Sequence, residues 1–185
     1  MPMAQRAQRP TRTRPWTRSD LQRIPDDGNR YEVLDGQLLV TPQAAFSHQE
    51  IATRLLVALR GYCAGHGLGV VVGPGAVPHG KSELQPDVQV IPGSPRLSAR
   101  WTQLPRPLLV VEVLSSSTRQ RDLETKREAY LRWGIPEYWA LDLEQRCAYV
   151  WRGEGSEPVR VSDALMWQPR ADLPAFQLGL AVLFA

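Results

Sequence analysis

The run from Leu108 to Leu114 constrains this chain most, because six of its seven residues are apolar and the seventh is Glu112. A strand that is apolar on both faces is typical of the middle of a sheet that is covered on both sides. A carboxylate in such a strand loses its hydration unless it is paired, neutralised or bound to a metal ion. Glu112 is therefore either solvated at the end of the strand, paired with an arginine, or part of a functional site.

The remaining pattern predicts short strands and two helices around this central strand. Asp35-Gly36 is a strong hairpin signal, and Ser47 with Glu50 has the spacing of a capping box at the start of a helix. We expect the apolar tail at 161–185 to dock on the core. The predicted strands are 31–34, 37–41, 70–72, 76–79, 87–91, 108–114, 138–141 and 147–151, and the predicted helices are 44–63 and 119–133.

These elements predict an α/β fold, in which helices flank a mixed central sheet that is preceded by an N-terminal β-hairpin. The chain has 185 residues, which is enough for one domain with a substantial core. We assign that domain to residues 16–185.

A second carboxylate, Asp87, opens the predicted strand at 87–91. Aspartate is depleted in strands, so a turn or cap would be its ordinary role. Two carboxylates on neighbouring strands of one sheet, however, converge within a few ångströms. Hard cations that prefer oxygen ligands need this arrangement. Asp87 and Glu112 are thus candidate metal ligands.

Lys126 lies on the predicted helix 119–133, on the face expected to pack against the sheet. The residues on this face recur at three- and four-residue steps, namely Leu123, Lys126, Tyr130 and Trp133. Its stem could carry the ammonium to water, or Lys126 could simply pair with Asp122 one turn earlier. The chain has 22 lysines and arginines, of which only two are lysines. This scarcity favours a functional role for Lys126.

The positive charge is concentrated at the N-terminus. Residues 1–23 hold six arginines and one aspartate, which gives +5, so the rest of the chain sums to −2 within the net +3. Low hydrophobicity and the absence of a period predict a disordered basic tail at 1–15, which either contacts nucleic-acid phosphates or is an inert extension.

Targeting signals and cysteine motifs are absent from the pattern. No apolar run reaches the roughly 20 residues that cross a bilayer, and the N-terminus lacks an apolar signal-peptide core. We therefore expect a cytoplasmic protein that does not enter a membrane. Cys63 and Cys147 stand apart, so neither a disulfide framework nor a zinc site is indicated.

Five ordered stretches, together with His48, carry a family resemblance. They are DDGNRYEVLDGQL at 26–38, PDVQVI at 86–91, VVEVLSSSTRQRDLETKREAY at 110–130, GIPEYWALD at 134–142 and LPAFQLGLAVLF at 173–184. This set resembles the Uma2 (DUF820) family of the PD-(D/E)XK restriction-endonuclease-like superfamily, over roughly residues 16 to 185.

The resemblance implies a restriction-endonuclease-like fold with Asp87, Glu112 and Lys126 as catalytic residues. The superfamily pattern places its lysine two residues after the second acidic residue, where this chain has Leu114. The resemblance therefore implies a migrated lysine, which the following helix supplies as Lys126. Ser116 also stands where the family has a proline, which should alter only the loop.

The function that follows is metal-dependent endonucleolytic cleavage of phosphodiester bonds in DNA. Asp87, Glu112 and the backbone carbonyl of Val113 would bind Mg²⁺ or Mn²⁺, which activates water and offsets the developing charge. Lys126 would position that water or steady the phosphate oxygens.

Two further residues and several alternatives stay open at this stage. His48 is either an accessory site residue or an ordinary hydrogen-bonded histidine, and Glu32 recurs in the resemblance without a role of its own. The protein could also be a non-catalytic nucleic-acid-binding or scaffold protein that retains the nuclease fold, or a hydrolase of another phosphate ester. The oligomeric state is open, a homodimer included.

Overall fold

The computed structural model describes residues 14–185, and a six-stranded sheet lies at its centre in the order β10-β9-β8-β7-β6-β3. The strands are β3 (Gly69–Val72), β6 (Val88–Pro92), β7 (Leu109–Leu114), β8 (Glu137–Asp142), β9 (Cys147–Arg152) and β10 (Val159–Val161). β7 and β8 run parallel, whereas the other neighbouring pairs are antiparallel. The predicted mixed sheet is therefore confirmed, and every residue of β7 is buried.

A second sheet of four strands, in the order β2-β1-β5-β4, contains the predicted N-terminal hairpin. Its strands are β1 (Arg30–Leu34), β2 (Gln37–Thr41), β4 (Val77–His79) and β5 (Ser82–Leu84). Asp35 and Gly36 both have positive φ, at 47° and 84°, as a tight hairpin turn requires. The pattern did not predict β5, which is only three residues long and connects β1 to β4.

Helix α2 (Phe46–His66) covers one face of the central sheet. Its buried residues Leu55 and Leu59 share a core with Val88 and Val111 of the sheet. The predicted capping box is wrong, because the N-cap is Ala45, without a side-chain cap bond, and Ser47 already lies inside the helix. Glu50 instead pairs with Arg54, one turn later, at 2.9 Å.

The opposite face is covered by a helical segment that runs over residues 119–132 in three parts. These are α3 (Arg119–Arg121), a π-helical turn (Asp122–Lys126) and α4 (Arg127–Arg132). The predicted helix is confirmed, whereas the π-helical turn was not foreseen, since periodicity assumes a constant 3.6 residues per turn. Ala129, Tyr130 and Leu131 bury this segment against the sheet.

The ends of the described chain pack on this framework. The predicted docking tail forms the hairpin β11 (Ala164–Trp167) and β12 (Phe176–Gly179), followed by α5 (Leu180–Leu183), and it joins the core on the α2 side. The short helix α1 (Arg18–Leu21) precedes β1. Of the predicted basic tail, residues 1–13 lie outside the described residues, while Arg14 pairs with Asp20 at 2.7 Å. No helix within residues 14–185 has the length and apolar character to cross a membrane.

Candidate active site

The two predicted acidic residues lie opposite each other on neighbouring strands. β6 and β7 pair with Val88 opposite Val111, and continuing this antiparallel register by one residue places Asp87 opposite Glu112. The Oδ2 atom of Asp87 also accepts a hydrogen bond from the backbone N–H of Val113 at 2.8 Å, which ties its carboxylate to β7. The structure therefore brings Asp87 and Glu112 together, as the sequence predicted, and adds a contact from the Val113 N–H, while the role of the Val113 carbonyl as a ligand stays a prediction.

Lys126 contacts Glu112, Glu32 and Asp122, and we call these four residues the buried cluster. Its Nζ atom lies 2.9 Å from Glu112 Oε1, 2.9 Å from Glu32 Oε1 and 3.8 Å from Asp122 Oδ1. The side chain of Lys126 is 0% exposed, so the alternative in which its ammonium reaches water is wrong. The alternative pairing with Asp122 is present, but as one of three carboxylate contacts. The hydroxyl of Tyr130 adds a hydrogen bond to Glu112 Oε1 at 3.2 Å.

Charge within the buried cluster is unbalanced, because three carboxylates surround one ammonium. Burial raises the pKa of Glu112 well above its usual range, although the charge of Lys126 acts in the opposite direction. Burial likewise raises the pKa of Asp122. Burial also disfavours the charged form of Lys126, but Glu112 and Glu32 outweigh it, so the pKa of the ammonium lies above its ordinary value. The buried cluster thus holds three carboxylates against its own single ammonium, and the next cations are Arg121, 4.0 Å from Asp122 Oδ1, and Arg30 of the neighbouring strand β1.

Asp87 belongs to a different group, the rim, which we define as Asp87, Arg30 and His48. Arg30 Nη1 lies 2.8 Å from Asp87 Oδ1, and His48 Nε2 donates to Asp87 Oδ2 at 3.1 Å. Burial alone would raise the pKa of Asp87, but the hydrogen bond from His48 and the charge of Arg30 outweigh it and hold that pKa well below its usual range. Asp87 is therefore fully ionised at neutral pH.

Sequence reasoning missed Arg30, and it weighed Asp122 only as a simple helix partner of Lys126. Arginine is the commonest cation of this chain, so its residue type carried no signal. One signal was available, because Arg30 stands two residues before Glu32 in β1 and alternate strand residues share a face. His48, for which an accessory role stays a prediction, lies against Asp87, and its Nδ1 atom has no hydrogen-bond partner among the described residues.

A cleft of about 720 Å³ lies over this region, between the start of α2 and the loop that follows β7. Arg30, His48, Val113 and Asp122 contribute to its lining, whereas Asp87, Glu112 and Lys126 are not among the lining residues. The three predicted catalytic residues thus lie directly behind the floor of the cleft.

The donor chemistry of the site suits a hard divalent cation. Glu32 Oε2 and Asp122 Oδ1 are buried carboxylate oxygens without hydrogen-bond partners in the described part of the chain, and such oxygens are the ligands that Mg²⁺ and Mn²⁺ prefer. Within residues 14–185, no group of three or more ligating side chains is already arranged around a common point. The buried carboxylates therefore fit the ion in kind, although the two unpartnered oxygens belong to Glu32 and Asp122, and Arg30 covers one of the Asp87 oxygens that would receive the ion.

Comparison with known proteins identifies the fold. A family profile named Uma2, described as "Putative restriction endonuclease", matches residues 18–182. A crystal structure described as a "putative nuclease belonging to DUF820", from Anabaena variabilis, superimposes with a TM-score of 0.73 at 16% sequence identity. The match covers 92% of this chain and 98% of that one, and at this identity it shows the fold alone. No curated protein matches the chain.

Proposed function

This chain belongs to the Uma2 family, and from that premise we propose that it is a metal-dependent endonuclease that hydrolyses phosphodiester bonds in DNA. One observation carries the proposal. The only lysine buried among the described residues contacts Glu112 at 2.9 Å, and Glu112 lies opposite Asp87 behind the floor of a cleft. A buried cation between carboxylates is costly to retain. Converging carboxylates of this kind can hold the metal ion that metal-assisted phosphodiester hydrolysis uses.

Asp87, Glu112 and the backbone carbonyl of Val113 would hold the Mg²⁺ or Mn²⁺ ion. When bound, the ion would supply Lewis-acid charge that favours ionised water and offsets the charge on the phosphodiester. Asp87 is suited to this role because it is already ionised and because the Val113 N–H fixes its orientation. Burial raises the pKa of Glu112, and the ion binds the carboxylate form, so ion binding would be pH-dependent.

Lys126 and its neighbours would orient the reacting groups. The Nζ atom of Lys126 is buried and donates to Glu112 Oε1 at 2.9 Å, so it would hold that carboxylate in position for the ion. Glu32 fixes Lys126 from the other side at 2.9 Å. His48, through Nε2, holds Asp87 in place.

The competing function, a non-catalytic scaffold that retains the nuclease fold, is favoured by one feature of the site. Asp87 and Glu112 are each paired with a cationic side chain, and neither lines the cleft. Calorimetry with Mn²⁺ separates the two functions. A nuclease binds the ion in the millimolar range or tighter, whereas a scaffold with the charges already paired shows no heat of binding.

A nuclease panel tests the reaction itself. We would incubate the protein with Mg²⁺ or Mn²⁺ on plasmid, single-stranded DNA, RNA and a small phosphate ester. We expect DNA cleavage that falls by about 100-fold or more in Glu112→Gln, in line with loss of a group that stabilises the transition state. Glu144→Gln is the matched control, because Glu144 lines the cleft but is exposed and lies outside the buried cluster. Cleavage at the wild-type rate by a folded E112Q protein would exclude the assignment.

A further inference from the structure

Arg30 connects the buried carboxylates to the cleft. Its Nη1 atom lies 2.8 Å from Asp87 Oδ1, and Asp87 itself is only 6% exposed. The Arg30 side chain is 22% exposed and contributes to the lining of the cleft. Its Nε atom is buried and has no hydrogen-bond partner within the described residues. The guanidinium is thus only partly satisfied, because Nη1 is on a carboxylate while Nε has no partner within residues 14–185.

Arg30 also covers the remaining acceptor of Asp87. The other oxygen, Oδ2, already receives the Val113 N–H at 2.8 Å and His48 Nε2 at 3.1 Å. A divalent ion that approaches Asp87 therefore competes with Arg30 for Oδ1. A divalent ion at Oδ1 would lie beside the guanidinium and repel it, and this repulsion favours departure of Arg30 from Asp87. The cleft is the open space next to Arg30, and it can receive the displaced side chain.

We propose that Arg30 leaves Asp87 when a divalent ion binds there and that its guanidinium then binds a phosphate of the nucleic acid in the cleft. This inference rests on the proposed function, which it extends by naming a substrate-binding residue. The planar guanidinium has donors that match two oxygens of a phosphate, so it exchanges one anion for another of similar geometry. Ion and nucleic acid then bind with positive coupling, because each favours the same position of Arg30.

Calorimetry with Mn²⁺ alone tests the first half of the exchange. Arg30→Gln removes the competing charge, so we expect it to bind Mn²⁺ about tenfold more tightly than wild type. Arg30→Lys retains a positive charge and should stay within about threefold of wild type, which separates charge competition from mere steric blocking. Arg119→Gln is the matched control, because Arg119 lines the same cleft but pairs with Asp142 rather than Asp87, and its Mn²⁺ affinity should not change. Thermal melting verifies that each variant is folded.

Fluorescence anisotropy with a labelled phosphorothioate DNA duplex, which resists cleavage, tests the second half. We measure the gain in DNA affinity on adding Mn²⁺, and we expect this gain to be about tenfold smaller in Arg30→Gln than in wild type. Arg119→Gln should weaken DNA binding equally with and without Mn²⁺.

The outcomes separate the inference from the function on which it rests. If folded R30Q binds Mn²⁺ no more tightly than wild type, the exchange is overturned while the metal site stands. If the gain in DNA affinity is the same in wild type and R30Q, transfer to phosphate is overturned. If neither wild type nor any variant binds Mn²⁺, the metal site and the proposed function fail together with the exchange.

Discussion

The buried cluster and the rim each contain a buried carboxylate, yet the pKa of Glu112 and the pKa of Asp87 are shifted in opposite directions. Asp87 in the rim receives Arg30, His48 and the Val113 N–H, and its pKa is held well below the usual range. Glu112 in the buried cluster shares one ammonium with other carboxylates, and its pKa is raised by burial. Burial is similar in both places. The neighbours therefore decide the direction of the shift, because donors and a guanidinium charge outweigh burial at Asp87, whereas nearby carboxylates add to burial at Glu112.

The largest expected effect comes from removing the single ammonium of the buried cluster. Lys126→Met leaves Glu32, Glu112 and Asp122 without their shared cation, which should lower the free energy of unfolding by about 3–5 kcal/mol in metal-free buffer. Urea denaturation measures the change. Lys81, the other lysine, is exposed, and Lys81→Met should stay within about 0.5 kcal/mol of wild type. A K126M protein as stable as K81M would show that the ammonium of Lys126 does not stabilise the buried carboxylates.

A divalent ion should connect the two regions and stabilise the folded protein. At a concentration about a hundred times its dissociation constant, Mn²⁺ should add roughly 2.7 kcal/mol and raise the Tm by about 5–10 °C. The gain should be larger at pH 8 than at pH 6, because burial raises the pKa of Glu112 and the ligands must lose their protons. Glu112→Gln should lose most of it. Differential scanning fluorimetry measures the gain in Tm. Equal gains in wild type and E112Q would place the ion elsewhere.

The smallest effect is a difference in pH dependence between the two acids. Folding lowers the pKa of Asp87. The contribution of Asp87 to the free energy of unfolding is therefore present above its pKa in the unfolded chain, and it is lost as the pH falls through its pKa in the folded protein. Asp87→Asn should therefore cost about 2 kcal/mol at pH 7, and the gap to wild type should narrow below about pH 4.

Glu112 should show the reverse trend in the same metal-free urea series. The pKa of Glu112 is raised in the folded protein. Its contribution to the free energy of unfolding is therefore complete below its pKa in the unfolded chain, and it is lost as the pH rises through its pKa in the folded protein. The stability of Glu112→Gln relative to wild type should thus improve with increasing pH. Parallel pH profiles for the two variants would mean that the rim and the buried cluster do not differ as described.

The sequence was sufficient to predict the sheet and the convergence of Asp87, Glu112 and Lys126, because strand alternation and helix periodicity depend only on nearby residues. It was not sufficient for contacts made by residues distant in the chain. Arg30 reaches Asp87 across 57 residues, and an arginine in a hairpin gives no sign of such a partner. The capping box at Ser47 failed for a local reason, since Glu50 has an equally good partner in Arg54.

The π-helical turn at Asp122–Lys126 has a consequence for chain length between two parts of this molecule. Its i→i+5 hydrogen bonds enclose one residue more than the i→i+4 bonds of an α-helical turn. Loss of one residue from a regular α-helix would rotate everything beyond it by about 100°, whereas loss of one residue from this turn can be absorbed by its conversion to regular α-helix. Glu124 and Thr125 are exposed, and Ala129, Tyr130 and Leu131 beyond them would keep their side towards the sheet. The segment between the strand that bears Glu112 and the helix that supplies its lysine can thus change in length at this turn while the packing of α4 is kept.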